Sequence, residues 1–344
     1  MKLIEPIKFN GKTLDLLDQR KLPDEVCYVS CKTHEEVAKC ISDMVVRGAP
    51  IIGIAAAYGI TLCIDENNKD VSKARQAFYD AKFCLEQARP TAKNIFFALG
   101  SMEACFNLSI RRKNNKNNFK IRDALIKKAR EIHDEEIRTN EIISEQGASL
   151  LKHDSVVITH CNAGSLATGG IGTALGVIKK AYTLGKIRKV YVDETRPLCQ
   201  GSRLSAFELM DENIPFEIIV DSAAAYFILS GKINAVLVGA DRITSNGDTA
   251  NKIGTLMLAH IAHNAKIPFY VCAPASTFDF QISDGSSIPI EFREKSEVLN
   301  IGKTKIAPNG AYAVNPAFDV TPANLITAFI TEAGIISPPF NEFL

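Results

Sequence analysis

Cys161 and Asp241 each follow a short apolar run, and a thiol and a carboxyl in such positions can exchange protons with a bound molecule. Cys161 lies in THCNAGSLATGGIGT (159–173), which leaves an expected strand and enters an expected helix through four glycines. Exposed N–H groups in such a loop, with a helix N-terminus behind them, hold an anion or lower a thiol pKa. Buried thiols often do no more than pack, but the end of a strand in a glycine-rich loop lets Cys161 face a cleft. His160 is not its partner in a nucleophile pair, because neighbours on a strand point to opposite faces, so it reads as a packing or backbone-bonding residue. Asp241, in VGADRI (238–243), has two readings. It is an ion-pair partner of Arg242, or an acid whose pKa the apolar strand before it raises by desolvation.

Other polar groups fit the recognition of a phosphorylated, hydroxylated molecule. Arg47, Gly48 and Ala49 precede a helix started by Pro50, a sound phosphate cradle, and Arg89 before Pro90 is a second cation of this kind. Asp193-Glu194-Thr195-Arg196-Pro197, continued by Gln200-Gly201-Ser202-Arg203, is dense enough in polar groups for hydroxyl recognition. Asn251 and Lys252, at an expected helix start, either bind a hydroxyl and a phosphate or form a solvated first turn. Gly170-x-Gly172 begins like a dinucleotide fingerprint, but position 175 is Leu and the loop from the strand is too long. Cys27-x3-Cys31 lacks a partner pair and the histidines lack zinc spacing, so no metal is expected. No phosphate-binding G-x-x-x-x-G-K-[ST] occurs, and no cofactor is expected.

These residues need elements to hold them, and 344 residues allow two lobes. Asn10-Gly11 between apolar runs predicts a hairpin, with a third strand at 26–30. Thr33 to Glu36 has capping-box spacing before a helix expected to stop near Gly48, followed by a helix from Pro50. Helices are expected over 71–87 and 92–112, broken at Arg89-Pro90. RRKNNKNNFK (111–120) reads as a solvated loop at the lobe boundary rather than a nucleic-acid patch. From Ile121 an amphipathic stretch predicts one broken helix or two. Apolar runs at 155–159, 189–192, 216–220, 235–238 and 269–272 alternate with helical segments, the pattern of a parallel sheet. Four of them end in His160-Cys161, Asp193-Glu194, Asp221 and Asp241, where ligands of such sheets sit. A last helix is expected from Ala323 to about Gly334. The fold class is thus α/β: an N-terminal β/helical lobe over 1–120 and a doubly wound, Rossmann-like domain over 121–344.

Lys plus Arg at 40 against Asp plus Glu at 39 provides no global field for nucleic acid or an anionic membrane. The first nine residues look like neither signal nor anchor, and the run 49–64 is too short to span a bilayer comfortably. Nine cysteines, mostly inside apolar patterns, suit a reducing cytoplasm.

The blocks RGAPIIGIAAAYG (47–59), RPTAKN (89–94), THCNAGSLAT (159–168), DETRPLCQGSRL (193–204), GADRI (239–243), NGDTANKIGT (246–255) and NPAFDVTP (315–322) occur in this order over nearly the whole chain. In them the sequence resembles the family that holds the methylthioribose-1-phosphate isomerases, the ribose-1,5-bisphosphate isomerases and the regulatory subunits of translation-initiation factor 2B. The resemblance implies an aldose–ketose isomerase acting on 5-methylthioribose 1-phosphate in methionine salvage, usually as a homodimer. It implies Cys161 and Asp241 as the catalytic pair, with Arg47, Gly48, Ala49, Arg89, Gln200, Asn251 and Lys252 lining the substrate site. Ribose 1,5-bisphosphate, 5-deoxyribose 1-phosphate or a non-catalytic regulatory role are the alternatives within the same resemblance. The regulatory subunits generally lack the catalytic pair.

Overall fold

The computed structural model describes residues 4–65, 67, 70–90, 93–111 and 118–340, so most of the expected basic loop at 111–120 lies outside the described residues. The chain divides into two compact units. The first comprises Lys2–Arg138 with Ser165–Gly170, and the second Thr139–Gly164 with Ile171–Leu344. The division falls between Arg138 and Thr139, inside a helix.

The first unit opens with an antiparallel sheet of β1 (Ile7–Phe9), β2 (Leu14–Leu17) and β3 (Tyr28–Cys31). Its hairpin turns where Asn10-Gly11 predicts: Asn10 Oδ1 accepts from the amides of Lys12 and Thr13 at 2.9 and 2.8 Å, and Gly11 takes φ +92°. Helix α1 (His34–Ser42) begins with the expected capping box between Thr33 and Glu36. It stops earlier than expected, because Met44 turns into the left-handed region at φ 56° and the Val45 amide bonds back to the Cys40 carbonyl. α2 (Ala49–Thr61) is buried on all sides, which is why its sequence is apolar all round. α3 (Val71–Ala88) and α4 (Lys93–Arg111) pack through Phe78 stacked on Phe106 at 4.2 Å. α5 (Asn118–Leu150) is a single unbroken helix of 33 residues, its first part in this unit. The short α6 (Ser165–Thr168) also belongs here.

In the second unit β4 (Ser155–Thr159), α7 (Ala174–Thr183), β5 (Ile187–Asp193), α8 (Ala206–Asp211), β6 (Phe216–Ile219), α9 (Ala224–Leu229) and β7 (Ala235–Val238) follow in turn. A hairpin of β8 (Arg242–Thr244) and β9 (Thr249–Lys252) precedes α10 (Thr255–Asn264), β10 (Phe269–Cys272) and β11 (Phe278–Asp279). After α11 (Ser296–Leu299) and the ribbon β12 (Asn300–Ile301) and β13 (Thr304–Lys305) come β14 (Phe318–Thr321), β15 (Ala328–Thr331) and β16 (Gly334–Ile336). The main sheet has the order β16-β15-β10-β7-β4-β5-β6, parallel except for β16.

Alternate residues of these strands feed two separate cores. Val156, Ile158, Val236 and Val238 pack with Ala224, Ile228, Leu258 and Ala259 of α9 and α10. Val157, Val190, Val192 and Leu237 pack with Leu175, Ile178 and Leu209 of α7 and α8. With both faces covered, period-2 alternation vanishes from the sequence and the strands read as continuous apolar runs.

The expected last helix at 323–334 is absent. Ala323–Leu325 forms one 3-10 turn, and Ala328-Phe329-Ile330-Thr331 is a buried parallel strand next to β10. A four-residue apolar run carries no periodicity that separates helix from strand, so the neighbouring Thr-Pro start misleads. A smaller sheet, β11-β8-β9-β14, was not foreseen.

Phe329 is fully buried and meets Phe278 and Phe340 with ring centroids at 5.4 and 4.7 Å. Phe329→Ala is expected to cost about 3–5 kcal/mol through lost transfer energy and the cavity left behind. The check is a reduced urea midpoint with the denaturant slope unchanged.

Candidate active site

The strand order reverses at β4. The chain runs outward through β4, β5 and β6, then returns across the sheet to place β7, β10 and β15 on the other side of β4. In open α/β sheets such a reversal leaves a crevice beyond the C-terminal strand ends, since the two connections leave in opposite directions. Cys161 stands two residues past β4, and Asp241 three past β7, the two strands that flank the reversal. Their loops meet: a Cβ built on Gly239 would lie 3.0 Å from Ala163 Cβ.

Cys161 is half-buried and left-handed, with φ 61°. For a residue with a Cβ this conformation costs roughly 1–2 kcal/mol, so its surroundings must hold it. Its amide donates to Thr195 Oγ1 at 2.8 Å, and its carbonyl accepts from Ser205 Oγ at 2.6 Å. The glycines around it have a different task from the one expected. Gly172 takes φ +97° and bridges to Gly164, where a Cβ would come within 2.4 Å of the Gly164 Cα; a Cβ on Gly164 would strike the Glu208 carboxyl. They allow backbone to pack on backbone.

His160, beside Cys161, is 1% exposed, and both its ring nitrogens are engaged: Nδ1 with Asp193 Oδ2 at 2.9 Å and Nε2 with the Ile253 carbonyl at 2.8 Å. A carbonyl oxygen only accepts, so Nε2 carries a proton, and the second proton is shared along the contact with Asp193. Burial works against the imidazolium, but Asp193 outweighs it and the His160 pKa is raised. Burial pushes the Asp193 carboxyl up to about 6, with His160 pulling it back. His160 therefore fastens the end of β4 to the end of β5 and to the corner after β9. Asp221, beyond β6, accepts from the amides of Thr195 and Arg196 at 2.7 and 2.9 Å. His160, Asp193 and Asp221 have potential ligand atoms within 4.8 Å of one another, but both imidazole nitrogens and both Asp221 oxygens already carry these hydrogen bonds.

Gln200 is buried, and its Oε1 lacks a hydrogen-bond partner among the described residues. An unsatisfied buried acceptor costs about 1–3 kcal/mol, a cost that a donor on a ligand would remove. Asn251 and Lys252 do not start a helix. They end β9, are 6% and 8% exposed, and pair in register with Asp319 and Phe318 of β14. Lys252 Nζ donates to the Ala317 carbonyl at 2.9 Å and sits 4.5 Å above the Phe318 ring. A solvated first turn is excluded for both. Alternation within the hairpin brings Ala250 opposite Arg242, and the Ala250 carbonyl accepts from the Asp241 amide at 2.9 Å, so Asn251 follows directly on Asp241's partner.

Asp241 itself is exposed. The apolar strand before it ends at Val238, and by Asp241 the chain has left the core, so the strand does not supply the expected desolvation. Arg242 contacts the buried Asp279 at 3.6 Å.

Arg47, Gly48, Ala49 and Arg89 belong to the other unit. Gly48 is the N-cap of α2 at φ 112°, where a Cβ would come within 2.5 Å of the Ala167 carbonyl oxygen, so no larger residue fits. Arg47, just before it, and Arg89, at the C-cap of α3, are half-buried. Cys161, Asp241, Gln200, Asn251 and Lys252 thus belong to the second unit, and the four others to the first.

His160→Gln would leave the Asp193 carboxyl buried without its cation, which costs about 3–5 kcal/mol. The sign with pH follows from the two shifts. A raised His160 contributes stability that is present below its ordinary 6.5 and lost as pH rises through its folded value. A raised Asp193 carboxyl, ordinarily at 3.8, costs stability as pH rises past that value, and without the imidazole it is raised further. Between about pH 4 and 6 both proteins are therefore expected to weaken in parallel as pH rises, and over about pH 6 to 6.5 wild type levels off while the variant goes on weakening, so the gap opens within the window from about pH 5 to 6.5. Urea midpoints across that window test it, and a gap independent of pH would contradict the shared proton.

Residues 45–338 match the initiation factor 2 subunit family. The methylthioribose-1-phosphate isomerase of Caldicellulosiruptor saccharolyticus is 49% identical over 97% of this chain and 96% of its own length. Among solved structures, 5-methylthioribose 1-phosphate isomerase from Pyrococcus horikoshii aligns with a TM-score of 0.94 at 39% identity, covering 99% of this chain and 95% of that one. The translation initiation factor eIF-2B, subunit delta, from A. fulgidus aligns at 0.89 and 38% identity, covering 98% and 97%. With this match along nearly its whole length, the chain belongs to the initiation factor 2 subunit family.

Proposed function

We propose that the chain is an aldose–ketose isomerase that converts 5-methylthioribose 1-phosphate to 5-methylthioribulose 1-phosphate. The observation that carries the reading is the placement of Cys161 and Asp241 past the two strands that flank the reversal of the sheet. The relatives that match over nearly the whole chain support the substrate.

The substrate sets a specific problem. Its anomeric oxygen carries phosphate, so the ring does not open by hemiacetal equilibration, and the bond from C1 to the ring oxygen must be broken with help. An acid at the ring oxygen makes that oxygen a leaving group, and this role falls to Asp241. Cys161 moves the proton at C2, or assists a hydride shift from C2 to C1. Since Asp241 is exposed in the unliganded chain, the desolvation that keeps its carboxyl protonated comes from the bound sugar. Arg47, Gly48, Ala49, Arg89 and Lys252 are assigned to the phosphate, and Gln200 and Asn251 to sugar hydroxyls. The unpartnered Gln200 oxygen suits an O–H donor.

The reading includes a cytoplasmic enzyme that works as a homodimer without a cofactor and without nucleic acid as a partner. All nine cysteines are free thiols, which suits a reducing compartment. Among the described residues no helix is long and apolar enough to cross a membrane. The eIF-2B subunit from A. fulgidus favours a second reading, a regulatory subunit that binds a phosphorylated ligand without turnover. Cys161 with Asp241 argues against it.

Ketose formation followed by NMR tests the proposal, with 5-methylthioribose 1-phosphate, ribose 1,5-bisphosphate and 5-deoxyribose 1-phosphate side by side. Turnover of the methylthio sugar is expected, with kcat lower by roughly 10²–10⁴ in Cys161→Ala and in Asp241→Asn. Preference for another of the three would reassign the substrate. Folded protein that turns over none would overturn the isomerase reading in favour of the regulatory one.

A further inference from the structure

Cys161 is held in its left-handed conformation by two side-chain hydroxyls, one on each side of its Cα. On the amide side, Thr195 Oγ1 accepts the Cys161 N–H at 2.8 Å while donating its own proton to the Asp193 carbonyl at 2.9 Å. On the carbonyl side, Ser205 Oγ donates to the Cys161 oxygen at 2.6 Å and accepts from Asn162 Nδ2 at 3.2 Å. One contact constrains rotation about N–Cα and the other about Cα–C, so together they define the direction of the Cα–Cβ bond that carries the thiol.

Both hydroxyls are completely buried, and each is itself held in place. Thr195 is left-handed too, at φ 64°, with Asp221 taking its amide and the next one. Ser205 ends a π-helical turn, Gly201–Ser205, whose extra residue per turn re-aims the side chain. The turn presses so closely on β5 that a Cβ on Gly201 would lie 1.7 Å from the Asp193 carbonyl oxygen. Asn162 also donates to Glu208 Oε1 at 2.9 Å, and Glu208 Oε2 accepts from the buried Lys179 at 2.9 Å. The strained cysteine, a second strained residue and a π-turn thus converge on the two peptide groups that flank one Cα, an investment that packing alone does not require.

We propose that Thr195 and Ser205 are the positioning residues of Cys161, clamping its two flanking peptide groups so that the thiol is presented at the reacting carbon. The proposal rests on the reading that Cys161 is catalytic. It predicts effects on turnover that exceed those on substrate binding, because the clamp sets the direction of a reacting group and touches no substrate.

The test compares Thr195→Val, Thr195→Ser, Ser205→Ala and Cys161→Ala in the isomerase assay with 5-methylthioribose 1-phosphate. It is paired with the rate of Cys161 alkylation by iodoacetamide as a function of pH, read by peptide mass mapping. Misplacing a reacting group by about 1 Å costs up to roughly a hundredfold, so kcat is expected to fall at least about tenfold in Thr195→Val and Ser205→Ala, with KM changed less than about threefold. Thr195→Ser keeps both hydrogen bonds and is expected to retain most of the activity. The pH profile of Cys161 alkylation is expected to move in Thr195→Val and Ser205→Ala and to stay in Thr195→Ser. If Thr195→Val does not fold, Ser205→Ala and Thr195→Ser carry the test. Unchanged kcat and an unchanged alkylation profile in the folded clamp variants would overturn the proposal, as would equal losses in Thr195→Ser and Thr195→Val. Full activity in Cys161→Ala would instead overturn the catalytic reading, whatever the alkylation profiles show.

Discussion

Helices cover both faces of the parallel sheet, and this constraint governs where the second unit can do chemistry. The apolar side chains on β4, β5, β7 and β10 enter one of two dry cores, in which an unpaired polar group would cost several kcal/mol. Reactive groups are thereby confined to the strand ends. There His160 and Cys161, Asp193, Asp221 and Asp241 collect, each one to three residues past the last apolar side chain or at it. The reversal of strand order at β4 then selects one place along that edge where two loops diverge and a ligand can enter.

The strand ends are joined by buried polar couples, each placed where backbone needs a partner. His160 with Asp193 ties β4 to β5 and to the corner after β9; Asp221 holds the turn after β5; Asp319 accepts the amides of Gly254 and Leu256 at the start of α10. Lys179 with Glu208 secures α7 to α8 and, through Asn162, to the Cys161 loop. Buried ion pairs are weak devices for stability, since desolvation offsets much of their attraction. Their worth here is geometric. A hydrogen-bonded couple tolerates little displacement, whereas an apolar contact in the same position would let neighbouring strand ends slide.

How much of this could be read from the sequence depended on the range of the interactions involved. Capping at Thr33, the hairpin at Asn10-Gly11 and the apolar runs of β4, β7 and β10 are local signals, and the structure follows them. Ala328–Thr331 gives no such signal: four buried residues fit helix or strand equally, and pairing with β10 decides. Asn251 and Lys252 look like a polar helix start because nothing nearby shows that β14 will pair with them. The candidate pair Cys161 and Asp241 is visible from its positions at strand ends. Thr195 and Ser205 are not, since their contacts with Cys161 span 34 and 44 residues of chain. Only the polar density of 193–203 hints at them. The same distance effect explains Asp241, whose apolar prelude suggests burial although the chain emerges into solvent before it.

On the proposed isomerase reading, the exposure of Asp241 has a mechanistic reason when set beside Cys161 and its two hydroxyl partners. An acid that must be protonated against a ring oxygen, yet sits in water when the site is empty, acquires its working environment only with substrate bound. Water exclusion then falls partly on the sugar itself, and a ligand whose end is apolar excludes it better than one with a second charged phosphate. The proposed clamp gives Cys161 the opposite arrangement, its backbone held in advance by Thr195 and Ser205. In that proposal one group is pre-organised and the other is switched on by binding. A relative can keep the sheet, the strand reversal and the ligand crevice and still lose turnover by altering either half. One fold can serve different activities in this way, since the scaffold supplies strand ends in the right order and the chemistry lies in a few side chains placed upon them.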